Sequence, residues 1–339
     1  MKKRTMITAA LFLSLTLLSG CGATTSDNAS TTKDATKQAP LKIGIAQIAP
    51  HASLDNCRDG FIEGLKEEGF VDGDNITIDY KNAEGDTANA TMIADTFVSQ
   101  KYDLICAVAT PTAMAAYNAT QGTDIPVIFT AVSDPVAAEL VASLDKPDTN
   151  ATGTSDALPL EQQMQMIRAM MPDAKTIGIL YTTSEVNSQT HLEKFKELAP
   201  TYGFTIEAIG VNTASDIPLA MDTLVTKCDA INNFTDNNVV NNLDTVLAKA
   251  NDAGIPVFGS EIEQVKKGCV AAQNIDYYQL GITTGKMAAK VLNGEDIKTM
   301  PVEVISACTP VANQAVMDQF SLTMPQEYKD SVTYVSAEE

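Results

Sequence analysis

Two stretches of small polar residues carry the groups best suited to chemistry. Thr110-Pro111-Thr112 follows the apolar run Asp103-Leu-Ile-Cys-Ala-Val-Ala109, and Ala131-Val-Ser-Asp134-Pro135 follows Ile125-Pro-Val-Ile-Phe-Thr130. Each apolar run is short enough to be a buried strand, and the small-residue stretch through Ala119 has helical spacing, so the segment reads as a β-α-β unit. In such a unit the strand ends and helix starts share one edge of a parallel sheet, where unpaired amides attract an anion such as a carboxylate. Thr110, Pro111 and Thr112 stand at that edge and offer neutral donors. Asp134, at the end of the next strand, offers an acceptor for a cation. Donors for a carboxylate, an acceptor for an ammonium and an apolar slot are together what a zwitterionic amino acid requires.

The pattern occurs twice. Lys101-Tyr-Asp103-Leu-Ile is answered by Lys227-Cys-Asp229-Ala-Ile, Asp124-Ile-Pro-Val-Ile-Phe by Gly254-Ile-Pro-Val-Phe, and Leu41-Lys-Ile-Gly-Ile-Ala-Gln47 by Lys175-Thr-Ile-Gly-Ile-Leu-Tyr181. Seven residues separate Asp103 from Thr110 and Asp229 from Asp236. Two similar α/β lobes are therefore expected, with Thr110 facing Asp236. Asp236 becomes a second acceptor for the ammonium. The repeat also matches Glu185 and Glu261 to His51 and Ala131. Gln47, Leu54, Tyr181, Asn187 and Asn237, at strand ends and in adjoining turns, complete the expected lining. Each residue also has a purely structural reading. Thr112 and Asp236 suit helix caps worth about 1 kcal/mol each, Asp134 before Pro135 suits a turn, and Tyr181 suits a strand-end core.

The elements that must position these residues alternate strictly. Strands are expected at 42–47, 76–80, 176–181, 205–211, 230–234, 254–259 and 302–305. Helices are expected from Asp55, a candidate N-cap, towards Glu68, and over 88–100, 136–144, 160–171, a stretch ending at Tyr202, 217–227 and 276–293. Residues 145–153 read as a polar crossing, and His191 falls on a helix expected to be exposed. Strict alternation is the pattern of a doubly wound parallel sheet, here built twice into Rossmann-like lobes.

Lys2, Lys3 and Arg4 precede an apolar run and Leu18-Ser19-Gly20-Cys21, the layout of a secretory signal over 1–20 rather than a membrane span. Leu-Ser-Gly-Cys resembles the lipobox of bacterial lipoproteins, which implies cleavage before Cys21 and lipid attachment to it. Residues 22–40 are polar and aperiodic and suit a flexible tether. The remaining chain is of a length that suits two domains. The formal net charge of −20 disfavours nucleic acid and anionic lipid surfaces as partners. Of six cysteines, assigning Cys21 to lipid leaves Cys57, Cys106, Cys228, Cys269 and Cys308. No pair has C-x-x-C spacing, and most read as apolar packing, with one disulfide left open. No G-x-S-x-G, H-E-x-x-H or P-loop spacing occurs, no metal-ligand cluster is evident, and with two histidines a Ser-His-Asp site would have to recruit His51 or His191. Neither enzyme nor cofactor is expected.

The lipobox, Ile128-Phe-Thr-Ala-Val-Ser-Asp-Pro135, Ile177-Gly-Ile-Leu-Tyr181, Thr235-Asp-Asn237 and Asp276-Tyr-Tyr-Gln-Leu-Gly-Ile-Thr-Thr-Gly-Lys286 together resemble the tryptophan/tyrosine-type substrate-binding proteins of ABC transporters. The resemblance runs from Leu41 to the last expected strand. It implies the type I periplasmic-binding fold, with two lobes joined by three crossings: 41–153 plus about 277–303, and about 154–276 plus 304–335. It also implies capture of an aromatic amino acid by a lipid-anchored monomer and delivery to a membrane permease with its ATPase. His51 follows the first strand, where members of that family line the pocket. Two alternatives remain open. One is a surface adhesin or sensor using the tether as a stalk. The other is a different solute such as a sugar, which the absence of Trp disfavours.

Overall fold

The computed structural model describes residues 39–336. The chain begins β1 (Leu41–Gln47), α1 (Ala52–Glu67), β2 (Ile76–Asn82), α2 (Thr87–Ser99), β3 (Leu104–Val108), α3 (Thr110–Ala119), β4 (Val127–Thr130) and β5 (Ala151–Ser155). It continues α4 (Leu160–Met170), β6 (Thr176–Thr182), α5 (Val186–Leu198), β7 (Thr205–Val211), α6 (Ile217–Leu224), β8 (Ala230–Asn232), α7 (Asn237–Asn241), α8 (Leu243–Ala253), β9 (Val257–Phe258), α9 (Ile262–Lys267) and β10 (Ala271–Asn274). It ends α10 (Tyr277–Leu292), β11 (Glu303–Val304), β12 (Thr309–Asn313), α11 (Gln314–Gln319) and β13 (Thr333–Val335).

Two parallel sheets result. The first runs β2-β1-β3-β4-β5-β11 and the second β7-β6-β8-β9. Amide hydrogen bonds from Val270 to Val257 and from Gly259 to Ala271 carry the second sheet on to β10, which pairs antiparallel with β12, itself parallel to β13. Both faces of the first sheet are apolar, as a parallel sheet covered by helices requires. Ile43, Ile45, Leu104, Cys106 and Val108 meet Phe61 and Leu65 of α1 on one face. On the other, Ala46, Ile105, Ala107 and Phe129 meet Phe97 of α2.

The internal repeat has a structural meaning. Asp103 Oδ2 accepts from the Lys42 amide at 2.7 Å, and Asp229 Oδ2 accepts from the Lys175 and Thr176 amides at 2.7 and 2.9 Å. Each aspartate thus fixes the start of the first strand of its sheet. The two Ile-Pro-Val runs match in the same way, the Pro126 carbonyl accepting from Ile105 and the Pro256 carbonyl from Ile231.

Several expected elements differ. Residues 136–144 form turns, because Glu139 adopts a left-handed conformation (φ 57°) after a single helical turn begun at Asp134. Helix α1 starts earlier than expected, with His51 rather than Asp55 at the N-cap. His191 is buried, on the inner face of α5, with its ring 5.5 Å from that of Phe234. The crossing at 145–153 contains a strand. β5 is polar, and its buried hydroxyls are individually satisfied: Thr152 donates to the Met300 carbonyl, Thr154 pairs with Thr284, and Ser155 donates to the Ser133 carbonyl. The elements α9, β10, β12, α11 and β13 were not anticipated from hydrophobic periodicity, since each has six residues or fewer. All five cysteines among the described residues are free thiols.

Helix α10 packs on α1 through glycines on both sides. A Cβ at Gly60 or Gly64 would lie 2.1 or 2.2 Å from the carbonyl oxygen of Tyr278 or Ile282, and one at Gly281 or Gly285 2.2 or 2.3 Å from that of Cys57 or Phe61. Backbone therefore touches backbone, and no side chain can fit between. Gly281→Ala should lower the free energy of unfolding by about 1–3 kcal/mol through overpacking, read from the urea midpoint. An unchanged midpoint would show that the two helices separate freely.

Candidate functional site

Between the C-terminal edges of the two sheets lies a cavity lined by residues that follow the strands of both. The first sheet supplies Ala109 and Thr110 after β3, Ala131 and Ser133 after β4, and Asp156 after β5. Opposite them stand Asn187 at the start of α5, Thr235, Asn237 and Val240 after β8, and Gln264 of α9. His51, Ser53 and Leu54 at the start of α1, with Tyr277 at the start of α10, complete the wall. Two alanines here adopt backbone conformations that side chains rarely take, Ala109 at φ 82°, ψ 157° and Ala131 at φ 55°. Such strain costs about 1–3 kcal/mol per residue and concentrates at functional sites. It turns the chain sharply enough to bring Thr110 to the cavity.

The lining includes no Lys or Arg and one carboxylate, Asp156. Its Oδ2 accepts from the Tyr277 hydroxyl at 2.7 Å and its Oδ1 from the Ser133 hydroxyl at 3.1 Å. Burial raises its pKa to about 6, partly opposed by those two hydrogen bonds. A carboxylate has about four lone-pair sites, so two remain for a ligand donor. The anion-binding side is neutral. Thr110 Oγ1 is buried without a hydrogen-bond partner, at the start of a ten-residue helix whose first amides have no intrahelical acceptor. Thr235 Oγ1, Asn187 Oδ1 and both ring nitrogens of His51 are likewise sealed from solvent and unpartnered. Burial lowers the His51 pKa to about 4, although the neighbouring Asn237 side chain and Asp55 act to raise it, so the imidazole is neutral near pH 7.

Of the residues anticipated from the sequence, His51, Leu54, Thr110, Ala131, Asn187 and Asn237 line this cavity. Glu185 stands behind them. Its carboxylate accepts from the Asn187 side chain at 3.0 Å, from the Asn237 amide and side chain at 3.0 and 2.7 Å, and from the Asn238 amide at 3.1 Å. Because the Nδ2 groups of both asparagines point back at Glu185, the Asn187 Oδ1 acceptor is left free. Burial, then the charge of Asp236, raises the Glu185 pKa. Glu261 caps α9 through the Glu263 and Gln264 amides at 2.6 and 2.9 Å.

The remaining candidates lie away from the cavity wall. Asp236, expected to hold an ammonium, is fully buried and accepts from the Thr182 amide and hydroxyl, the Ser188 hydroxyl and the Val239 amide. Thr112 donates back to the Val108 and Ala109 carbonyls. Pro111 lines an outer polar groove together with Glu185. Gln47 donates to the Ala49 carbonyl and to Asp55, and Tyr181 packs against the core of the second sheet. Asp134 forms an ion pair with Lys194 of α5 at 3.1 Å. That pair, with Asn56 Nδ2 donating to Glu263 Oε1 at 3.2 Å, joins the two halves on either side of the cavity. Asp156, Tyr277, Ser133 and Gln264 were not anticipated. Asp156 follows a strand with no apolar pattern, and Tyr277 follows the cap residue of α10.

The family model for ABC transporter substrate-binding proteins matches residues 42–335. The chain belongs to this family. It is 38% identical over 339 residues, all of this chain and 97% of the relative, to a tyrosine-binding protein of Clostridioides difficile. It is similar in structure to an ABC domain from Streptococcus pneumonia solved in complex with L-Trp, at 36% identity and a TM-score of 0.85, covering 88% of this chain and 100% of that one. The ligand-free, open structure of a Clostridium difficile substrate-binding protein with adhesive properties matches with the same coverage at 41% identity but a TM-score of 0.67. The architecture of this substrate-binding protein is the type I periplasmic-binding fold. The family acts outside the cytoplasm and is in general non-catalytic. Among the described residues no helix is long and apolar enough to cross a membrane.

Asp236 holds four protein donors, so Asp236→Ala should act on stability rather than on binding. Leaving those donors unsatisfied should cost about 2–4 kcal/mol in urea denaturation, with ligand affinity of the folded fraction changed by less than about threefold. A large loss of affinity at unchanged stability would return Asp236 to the binding site.

Proposed function

We propose that this chain captures an aromatic L-amino acid between two lobes, each built around one of the two parallel sheets, and delivers it to the permease and ATPase of an ABC importer. The observation that carries the reading is Asp156, a buried carboxylate with no cationic partner among the cavity residues. It takes the ligand ammonium. Thr110 and the first amides of α3 take the carboxylate, where the helix dipole favours negative charge. Leu54, Val240, Ala109 and Ala131 flank the apolar side chain. The tyrosine-binding relative and the L-Trp complex support the aromatic class. The arrangement resembles the ligand-bound relative more than the open one despite lower identity to it, which supports reading it as the closed form. Cys21 and its lipobox lie outside the described residues, and on this proposal lipidation there anchors the protein to the outer face of the membrane. A second role in surface adhesion is favoured by one observation, the adhesive properties of the relative at 41% identity.

Calorimetric titration with L-tyrosine, L-tryptophan and L-phenylalanine tests the reading. Asp156→Asn should weaken binding by about 2–5 kcal/mol, because the ammonium is left desolvated and unpaired. Wild-type affinity should also fall as pH drops through about 6, where Asp156 takes up its proton, and the asparagine variant should show no such step. In the ligand-free protein the raised pKa acts in the opposite sense. The stability Asp156 contributes is complete below the ordinary carboxylate range and is lost as pH rises through about 6. Unaltered binding by Asp156→Asn would place the ammonium elsewhere.

A further inference from the structure

Asp156 differs from the other buried acids near the cavity in what holds it. Glu185, Asp236 and Glu261 each accept from a backbone amide at a helix start, those of Asn237, Val239 and Gln264. The side chains that donate to Asp156 are two hydroxyls, Tyr277 to Oδ2 at 2.7 Å and Ser133 to Oδ1 at 3.1 Å. A helix-start amide is fixed by the helix that carries it, whereas a hydroxyl is fixed only by what packs around its side chain. The charged form of Asp156 therefore depends on how well those two side chains are placed.

Tyr277 is placed with unusual firmness. It is buried and opens α10, whose cap residue Asp276 accepts from the Gln279 amide. Further along the helix, Gly281 and Gly285 seat it on α1, and Thr284 pairs at 2.8 Å with Thr154, two residues before Asp156 in the chain. The helix that carries the phenol is thus bonded to the strand that leads to the carboxylate. Burial, with the Asp156 charge adding, pushes the Tyr277 hydroxyl well above its ordinary range, so it keeps its proton and stays a donor. No other neighbour keeps Asp156 charged. The cavity lining has no Lys or Arg, and burial holds the thiols of Cys57 on α1 and Cys106 on β3 neutral. Glu261, at the start of α9, is an acid raised by burial to about 7. Against the burial of Asp156, the Tyr277 hydroxyl is the first opposing influence and Ser133 the next.

We propose that Tyr277 is a positioning residue, whose hydroxyl holds Asp156 as an oriented anion for the ligand ammonium and so acts through Asp156 rather than on the ligand. The inference rests on the assignment of the ammonium to Asp156 made above, and adds the group on which that assignment depends. A hydrogen bond to the charged form of an acid favours that form, and its removal favours the neutral one. Each hydroxyl takes a different oxygen of Asp156, which leaves a lone pair on each for the ammonium. Tyr277→Phe keeps the ring on the cavity wall and removes only the hydroxyl. Its effect should therefore appear where Asp156 takes up a proton and disappear where Asp156 is ionised without help.

Calorimetric titration across the pH range, with the tightest-binding of L-tyrosine, L-tryptophan and L-phenylalanine, compares wild type, Tyr277→Phe and Asp156→Asn. Wild-type affinity should fall as pH drops through about 6. Tyr277→Phe should move that fall upward by about one pH unit, which makes binding up to about tenfold weaker below about pH 6 and less than about threefold weaker at about pH 8. An equal loss at every pH would overturn the inference and reduce Tyr277 to packing, and so would a fall that stays where wild type has it. In either case weak binding by Asp156→Asn would leave the ammonium assignment intact. If Asp156→Asn bound as wild type does, or if none of the three amino acids bound wild type, that assignment or the ligand class would fail and the inference with it. Should Tyr277→Phe not fold, meta-fluorotyrosine at Tyr277 keeps the side-chain shape with a stronger hydroxyl donor. It should move the fall to lower pH, and an unmoved fall would overturn the inference.

Discussion

The backbone contact between α1 and α10 is the constraint on which the geometry of the cavity depends. Gly60, Gly64, Gly281 and Gly285 let the two helices meet without side chains between them, and a close-packed contact of this kind resists sliding. Both helices begin at the cavity. His51, Ser53 and Leu54 come from one and Tyr277 from the other, so the spacing of that wall is set several turns away by glycines that touch no ligand. The chain reaches α10 directly from the second sheet through Ile275 and Asp276. Tyr277 follows that connection and is fixed to the first sheet by Thr284 against Thr154 and by its own bond to Asp156.

A second constraint is electrostatic. Glu185, Asp236 and Glu261 are all buried on the second-sheet side, and burial is the largest influence raising the pKa of each. What makes them tolerable is the number of N–H and O–H donors aimed at them, largely from the starts of α7 and α9. The cavity wall on that side offers a ligand carboxylate no cation. The first-sheet side, with Thr110 and the start of α3, is the favourable place for it. Glu185 also braces the side-chain amides of Asn187 and Asn237, so a group that does not line the cavity decides which atoms of the wall are acceptors.

How far the sequence could be read follows from which forces leave a pattern. The repeat was legible because Asp103 and Asp229 bond strand-starting amides, a role tied to the backbone and so to fixed spacing. Thr110 and Asn237 were legible because helix starts follow strand ends at short, regular distances. β5 was not, since Ala-Thr-Gly-Thr-Ser carries no apolar run and is held by hydroxyl bonds to residues as distant as Thr284 and Met300. Gly153 shows why that strand is so small-chained, as a Cβ there would lie 1.9 Å from the Phe129 carbonyl oxygen. Missing β5 meant missing Asp156 beyond it. Asp236 misled for the opposite reason. Spacing placed it correctly at a helix start, but only three-dimensional packing shows that Thr182 and Ser188 already occupy it.

The contacts that join the halves outside the cavity bear on how closure is driven. The Lys194 side chain is 55% exposed and that of Asp134 25%, and an ion pair so open to water is worth about 0–1 kcal/mol. The bond from Asn56 to Glu263 is a single partly buried hydrogen bond, of similar net value. Neither is strong, and Val186 of α5 adds apolar packing against the first-sheet core, while Thr110, Thr235, His51 and Asn187 keep polar atoms that find no partner within the protein. On the reading proposed above, the ligand supplies those partners and charges that match Asp156 on one side and the start of α3 on the other. The outer contacts then orient the lobes as they meet, and the ligand adds to the free energy of closure.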